Sequence, residues 1–231
     1  MAQRESSPRN VEHELKIGLP NEKAYQDLLN ALAQAELKVV EQINHFFDTP
    51  ERCLNTRRFI LRLRQEDEIF YLTAKGKSKR SEDPLWSKKV EVESVIDVDL
   101  AQSILRGEAC PLVLLSENAQ VGDEGRILLL TMRELVGTSV LSSIGKFSNR
   151  RTRCPIRVGS LEQAKTLELE VDRTRFPNGR IDCEVELEIP DSVEPELAKK
   201  TLVDLLERLG IRGHANPSKS KRFFQILRSG E

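Results

Sequence analysis

The chain has 231 residues, of which 39% are hydrophobic and 32% are charged. Its 36 basic and 37 acidic residues nearly cancel, which argues against a general nucleic-acid coat or a membrane-surface protein. No apolar run approaches the roughly 20 residues of a transmembrane helix. We therefore expect a cytoplasmic protein with no nucleic-acid or membrane partner.

The cysteines lie far apart and form no C-x-x-C pair. They are Cys53, Cys110, Cys154 and Cys183. This spacing fits neither a zinc knuckle nor a dense disulfide framework. We expect reduced thiols, as in an intracellular protein.

The predicted elements follow a flexible polar tail over residues 1–10. Apolar residues at every second position predict strands over residues 11–19, 39–47, 59–64, 69–75, 87–95, 140–146, 150–158, 166–176 and 180–189. Helical spacing and capping residues predict helices over residues 21–35, 97–106, 125–136, 195–209 and 219–227. Residues 107–125 are loop-like and receive no assignment. With no dividing linker, residues 11–228 are predicted to form one domain.

The polar side of several predicted strands carries like charges two residues apart. Arg62 and Arg64 form one such pair, and Glu184 and Glu186 form another. A solvated sheet face is the ordinary explanation for alternating apolar and polar residues. However, like charges about 7 Å apart repel each other unless a ligand of opposite sign lies between them. If helices cover the apolar face, the charges point inward, and about eight strands can close into a barrel with a polar lumen.

Specific motifs occur on these strands. Residues 12–16 read EHELK and match the E-x-E-x-K motif that opens the CYTH domain, the fold of the triphosphate tunnel metalloenzymes. Further matches in the family's order are FFDTP at 46–50, LRLR at 61–64, LTAK at 72–75, LELEVD at 167–172 and CEVELE at 183–188. Lys219 and Lys221 lie near the family's C-terminal lysine, and Lys221 matches better. The chain thus resembles this family over residues 11–228, most closely its plant inorganic triphosphatases.

This resemblance implies an α+β fold, a closed antiparallel eight-stranded β-barrel covered by helices. It also implies one or two Mg²⁺ or Mn²⁺ ions held by carboxylates, and a triphosphate gripped by cations. The metal ligands would come from Glu12, Glu14, Glu91, Glu93, Asp172, Glu184 and Glu186. The substrate-binding residues would be Lys16, Arg62, Arg64, Lys75, Arg151, Arg153, Lys219 and Lys221. Glu14, Asp172 and Glu186 would act in catalysis, by orienting the attacking water or taking its proton.

The expected reaction is hydrolysis of inorganic tripolyphosphate to pyrophosphate and phosphate. The same motifs leave open a thiamine triphosphatase, a nucleoside or RNA 5′-triphosphatase and an adenylyl cyclase. A non-catalytic polyphosphate-binding module is the alternative from another class. Because a closed barrel has no strand edge to bury against a partner, we expect a monomer.

Overall fold

A computed structural model describes residues 11–77, 83–159 and 164–230 of the chain. The predicted tail over residues 1–10 lies outside these ranges. The strands are β1 (Val11–Leu19), β2 (Lys38–Asp48), β3 (Ile60–Glu66), β4 (Ile69–Lys75), β5 (Trp86–Ile96), β6 (Ser142–Val158), β7 (Lys165–Arg175) and β8 (Ile181–Glu188). The helices are α1 (Glu22–Leu32), α2 (Cys53–Thr56), α3 (Val98–Leu105), α4 (Pro111–Asn118), α5 (Asp123–Val136), α6 (Pro195–Arg208) and α7 (Lys219–Ser229).

The strands form one closed sheet in the order β1-β5-β4-β3-β2-β6-β7-β8. The pairs β1–β8, β3–β4, β4–β5, β6–β7 and β7–β8 are antiparallel. The predicted fold class, a closed antiparallel eight-stranded barrel with helices, is therefore confirmed.

The predicted turn and capping residues explain where several elements begin and end. The side chain of Asn21 accepts a hydrogen bond from the backbone N–H of Ala24 at 2.9 Å, so α1 starts there. Gly179 adopts a positive φ of 83° in the turn between β7 and β8. Gly210 does so after α6, with φ 67°. Glycine adopts this left-handed conformation without the steric cost that a side chain would add.

The structure differs from the sequence-based assignment most clearly in two regions. The two strands predicted over residues 140–158 are one continuous strand, β6, which pairs with β7 from Ser148 to Val158. Residues 107–125, which receive no assignment from the sequence, contain α4, where Leu112 and Leu115 are buried. Apolar residues occupy the first five positions of α4, so they show no helical period that sequence patterns could reveal.

Contacts within the chain define two compact units, each with its own apolar core. Among the described residues, the first unit contains residues 43–77 and 89–146 with the start of β1. The second unit contains residues 13–42, 83–88, 147–159 and 164–230. Leu63 and Leu72 lie in the core of the first unit, whereas Leu15 and Val185 lie in that of the second. None of the helices in the described ranges is long and apolar enough to cross a membrane. The single domain over residues 11–228 remains a prediction.

Candidate active site

Acidic residues of the second unit meet where β7 and β8 pair. On β8, Val185 packs in the apolar core, while its neighbours Glu184 and Glu186 point to the other face, as strand alternation requires. The register places Asp172 opposite Glu184 and Glu170 opposite Glu186. Asp172 and Glu184 are both 0% exposed, which is rare for carboxylates unless they are paired.

Asp172, Glu184 and Glu186, here called the carboxylate cluster, each contribute an oxygen, and these oxygens all lie within 4.8 Å of one another. The ammonium of Lys219, the first residue of α7, lies among them. Its Nζ atom is 2.7 Å from Asp172 Oδ2, 2.5 Å from Glu184 Oε1 and 2.8 Å from Glu186 Oε1. The three acidic side chains therefore already converge on one positive charge.

Arg151 of β6 lies opposite Asp172 in the strand register. Its Nε atom donates to Asp172 Oδ1 at 2.9 Å, and its Nη2 atom donates to Asp172 Oδ2 at 2.6 Å. The same Nη2 atom reaches Glu186 Oε2 at 2.8 Å, and Nη1 forms an ion pair with Glu170. The guanidinium thus uses its planar fork to hold three carboxylates at once.

Lys16 of β1 extends this network on the other side of β8. Its Nζ atom lies 2.8 Å from Glu14 Oε1 and 2.8 Å from Glu186 Oε1. Lys16 and Glu14 are 8% and 7% exposed, respectively. The carboxylate cluster with Glu14, Lys16, Arg151, Glu170 and Lys219 is therefore one largely buried network of both charges, in which Glu170 is the most exposed side chain at 23%.

The like charges on β8 do not need a ligand between them, contrary to the prediction from sequence. Glu184 and Glu186 carry like charges on one strand, yet cations from the neighbouring elements neutralise them. Lys219 contacts both residues, and Lys16 contacts Glu186. Strand register brings opposite charges side by side, which the alternation within one strand does not show.

The pKa directions divide the acidic residues into two classes. Burial alone would raise the pKa of Asp172, but Arg151 and Lys219 hold it below its ordinary value. The pKa of Glu186 is likewise well below its ordinary value, because Lys16, Lys219 and Arg151 outweigh its burial. Burial raises the pKa of Glu184. Burial also raises the pKa of Glu170 to about 7, although the positive charge of Arg151 acts to lower it. Asp172 and Glu186 are therefore the firmly ionised members.

Predicted residues of the first unit form a second charged cluster on β3, β4 and β5. This second charged cluster consists of Arg62, Arg64, Lys75, Glu91 and Glu93. The Lys75 ammonium lies 2.5 Å from Glu91 Oε2, and Arg64 Nη2 lies 3.4 Å from Glu93 Oε2. Thr73 donates to Glu93 Oε2 at 2.7 Å. Both acidic residues therefore have basic neighbours.

Of the remaining predicted site residues, Arg153 adjoins the network around the carboxylate cluster through Glu170, whereas Lys221 does not reach it. Arg153 lies on β6 with its Nε atom 3.3 Å from Glu168 and 3.5 Å from Glu170. Lys221 is exposed on α7, so Lys219 rather than Lys221 reaches the carboxylate cluster. Glu12 belongs to β1, but its side chain lies outside the described part of the structure.

Sequence reasoning missed Glu170, Asn216 and Arg222. Glu170 shares the polar face of β7 with Asp172, so strand alternation already contained a signal for it. Arg222 is 3% exposed, and its Nη2 atom donates to Glu184 Oε2 at 2.5 Å. Asn216 donates to the same oxygen at 2.9 Å. Neither of these two residues belongs to a motif or to a strand, and only the docking of the C-terminal segment reveals them.

The donor set suits a divalent metal ion. Mg²⁺ and Mn²⁺ prefer carboxylate oxygens, and the carboxylate cluster supplies three of them. The buried oxygens Glu14 Oε1 and Glu184 Oε1 pair with ammonium groups, at 2.8 Å from Lys16 and 2.5 Å from Lys219. Buried carboxylates are paired with cationic groups or coordinate metal ions. The residues therefore fit the metal that the resemblance implies.

Solved structures show the same fold. The chain matches HpAC1 from Hippeastrum, an adenylyl cyclase candidate described as having a dominant triphosphatase activity, with 28% identity and a TM-score of 0.74 over 95% of this chain and 96% of that one. It also matches a proposed adenylate cyclase from Bacillus halodurans, with 24% identity and a TM-score of 0.62 over 94% of this chain and 100% of that one. Comparison with curated proteins gave no match.

The family model described as the CYTH domain matches residues 10–224, nearly the whole chain. That range contains the carboxylate cluster, Lys16, Arg151 and Lys219. The protein therefore belongs to the CYTH domain family.

Proposed function

We propose that this protein is a divalent-metal-dependent triphosphatase that hydrolyses inorganic tripolyphosphate to pyrophosphate and phosphate. The observation that carries the proposal is the position of the Lys219 ammonium, within 2.8 Å of three buried carboxylates. Three acidic side chains gathered around one cation provide a metal site, and the cation that now balances them can bind phosphate. The triphosphatase activity described for HpAC1 supports the same reaction.

Asp172, Glu184 and Glu186 would hold the metal, with Glu14 as an adjoining carboxylate and Glu12 as a further ligand implied by the family. Bound Mg²⁺ or Mn²⁺ would supply a Lewis acid that offsets charge on the phosphate oxygens. Lys219 would leave the carboxylate cluster when the metal takes its place, and would bind a phosphate oxygen instead.

Basic residues would bind the triphosphate. Lys16 and Arg151 already lie against the carboxylate cluster, so their positive charges are fixed before the substrate arrives. Arg62, Arg64, Lys75 and Arg153 remain proposed phosphate-binding residues, as does Lys221, although its side chain is exposed. Because phosphoryl transfer depends mainly on positioning and charge stabilisation, such preorganised cations would provide much of the rate.

Glu170 is the best group to take a proton from the attacking water. With a pKa of about 7, Glu170 is partly ionised near neutral pH and is basic enough to accept a proton. Asp172 and Glu186 are weaker bases because cations hold their pKa values low. The water oxygen would bond to the terminal phosphorus while the bond from that phosphorus to the bridging oxygen breaks, releasing pyrophosphate.

The proposal is tested by phosphate release with Mg²⁺ and with Mn²⁺ from tripolyphosphate, thiamine triphosphate, ATP and 5′-triphosphorylated RNA. Glu186→Gln should lower turnover by about 100-fold or more, as for removal of one preorganised electrostatic contact. Glu188→Gln is the matched control, because Glu188 follows on the same strand and is exposed. A preference for another triphosphate would reassign the substrate. Binding of tripolyphosphate without turnover would instead identify a phosphate-binding module.

A further inference from the structure

Helix α7 carries a second buried cation besides Lys219. Arg222 lies three residues further on, so both side chains lie on one face of the helix. Arg222 is 3% exposed, and its guanidinium lies over the ring of Phe176 at 5.4 Å. Burying an arginine costs free energy unless its charge is paired. The polar partners of Arg222 therefore indicate its role.

Arg222 joins two acidic residues of β8. Its Nη1 atom donates to Asp182 Oδ2 at 2.6 Å, and its Nη2 atom donates to Glu184 Oε2 at 2.5 Å. Asp182 also accepts a hydrogen bond from Arg180 at 2.8 Å. Asp182 on one side and the Phe176 ring against its face therefore hold the guanidinium in position independently of Glu184.

The two oxygens of Glu184 have different partners. Oε2 accepts hydrogen bonds from Arg222 and from Asn216, so its lone pairs are engaged away from the carboxylate cluster. Oε1 instead forms an ion pair with the Lys219 ammonium, at 2.5 Å. The oxygen that faces the carboxylate cluster is therefore the one that pairs with Lys219, at the place the metal would take.

We propose that Arg222 is a positioning residue that orients Glu184 for metal binding, by engaging Oε2 so that Oε1 faces Asp172 and Glu186. This inference rests on the proposed function, because it assumes that the carboxylate cluster binds the metal. Outer partners of this kind orient metal ligands, and their loss typically lowers metal affinity about 10–100-fold. Asn216 would assist in the same way, with a neutral and weaker hydrogen bond.

The test measures Mn²⁺ binding to the full chain by electron paramagnetic resonance of the free ion, without substrate. Arg222→Met should weaken Mn²⁺ binding about 10–100-fold, and Arg222→Lys should weaken it less, since lysine keeps the charge but cannot reach both carboxylates. Arg180→Met is the matched control, because Arg180 shares Asp182 but its side chain is 55% exposed. In turnover assays, the Mn²⁺ concentration for half-maximal rate should rise while kcat at saturating Mn²⁺ stays near that of the wild type.

The outcomes separate the two proposals. If the wild-type protein does not bind Mn²⁺, the proposed function itself fails. If the wild type binds Mn²⁺ and folded Arg222→Met binds it equally well, the positioning role is overturned. Should Arg222→Met not fold by circular dichroism, Arg222→Lys and Asn216→Ala decide, and wild-type Mn²⁺ affinity in both would refute the proposal.

Discussion

Lys219 and Asp172 form a buried ion pair, with Nζ 2.7 Å from Oδ2 and the aspartate 0% exposed. The same ammonium contacts Glu184 and Glu186, so one lysine balances much of the acidic charge at this point of the second unit. Charge balance and metal binding therefore compete for the same oxygens.

Lys219→Met should destabilise the metal-free protein and increase the stabilisation that added metal provides. Removing one partner of a buried ion pair costs about 3–5 kcal/mol, because the remaining charges stay buried without compensation. The melting temperature in EDTA should fall, and added Mn²⁺ should raise it more than it raises that of the wild type. Triphosphate binding should weaken in the variant.

Lys221→Met is the control for this experiment. Lys221 lies on the same helix but is exposed, so its loss should leave the metal-free melting temperature nearly unchanged. Equal melting temperatures for Lys219→Met and the wild type in EDTA would contradict the proposed charge balance.

Glu170→Gln should alter the dependence of stability on pH in metal-free protein. Because burial raises the folded-state pKa of Glu170 to about 7, above its unfolded value of about 4.3, the folded state holds more protons between these values. Glu170 therefore lowers stability as pH rises through this range. Thermal unfolding in EDTA should show the variant gaining stability relative to the wild type between pH 5 and pH 8.

The same variant tests the proposed proton acceptor. The rate for the wild type should rise with pH through about 7 as Glu170 ionises, and this rise should be lost in Glu170→Gln. Glu168→Gln is a suitable control, because Glu168 lies on the same strand with a 62% exposed side chain. A pH–rate profile unchanged in Glu170→Gln would remove Glu170 from the proton transfer.

Gly18→Ala should destabilise the attachment of the C-terminal segment to β1. Gly18 and His214 exchange two backbone hydrogen bonds, of 2.8 and 3.0 Å. A Cβ atom on Gly18 would lie 2.6 Å from His214 Nε2 and 3.0 Å from the Cβ atom of Asn216. We expect a loss of about 1–3 kcal/mol in the free energy of unfolding, measured with urea, as for other overpacked sites.

His214→Ala provides the compensating variant. If ring overlap causes the loss, the double variant with Gly18→Ala should be more stable than the sum of the single effects predicts. Strict additivity would show that the His214 ring is not the source. Gly76→Ala should cost little, because a Cβ atom there would meet its nearest atoms at 3.5 Å.

The thiols should differ strongly in reactivity. Cys110 is exposed, whereas Cys154 and Cys183 are buried. Burial raises the pKa of Cys183 to about 12 and also raises that of Cys154, so both remain protonated and unreactive. With a disulfide reagent at pH 8, Cys110 should react first and Cys53 more slowly. Cys154 and Cys183 should react only after denaturation, and their rapid labelling in the native protein would contradict the buried core.

Local pattern determined much of the fold. The alternation in β8 separates Val185 from Glu184 and Glu186, because successive side chains point to opposite faces of a strand. Asn21 predicted the start of α1, since a side-chain oxygen there can cap the helix. The ordered motifs from Glu12 onward indicated the family and, through it, the barrel.

Tertiary structure alone decided how the charges combine. The register of β6 against β7 placed Arg151 beside Asp172, and residues in separate strands become neighbours only when the chain folds. The packing of α7 selected Lys219 over Lys221, since residues two apart on a helix face different directions. The same packing buried Arg222 against Glu184. The sequence by itself determined which face of each strand is charged, whereas contacts between distant segments decided which charges meet.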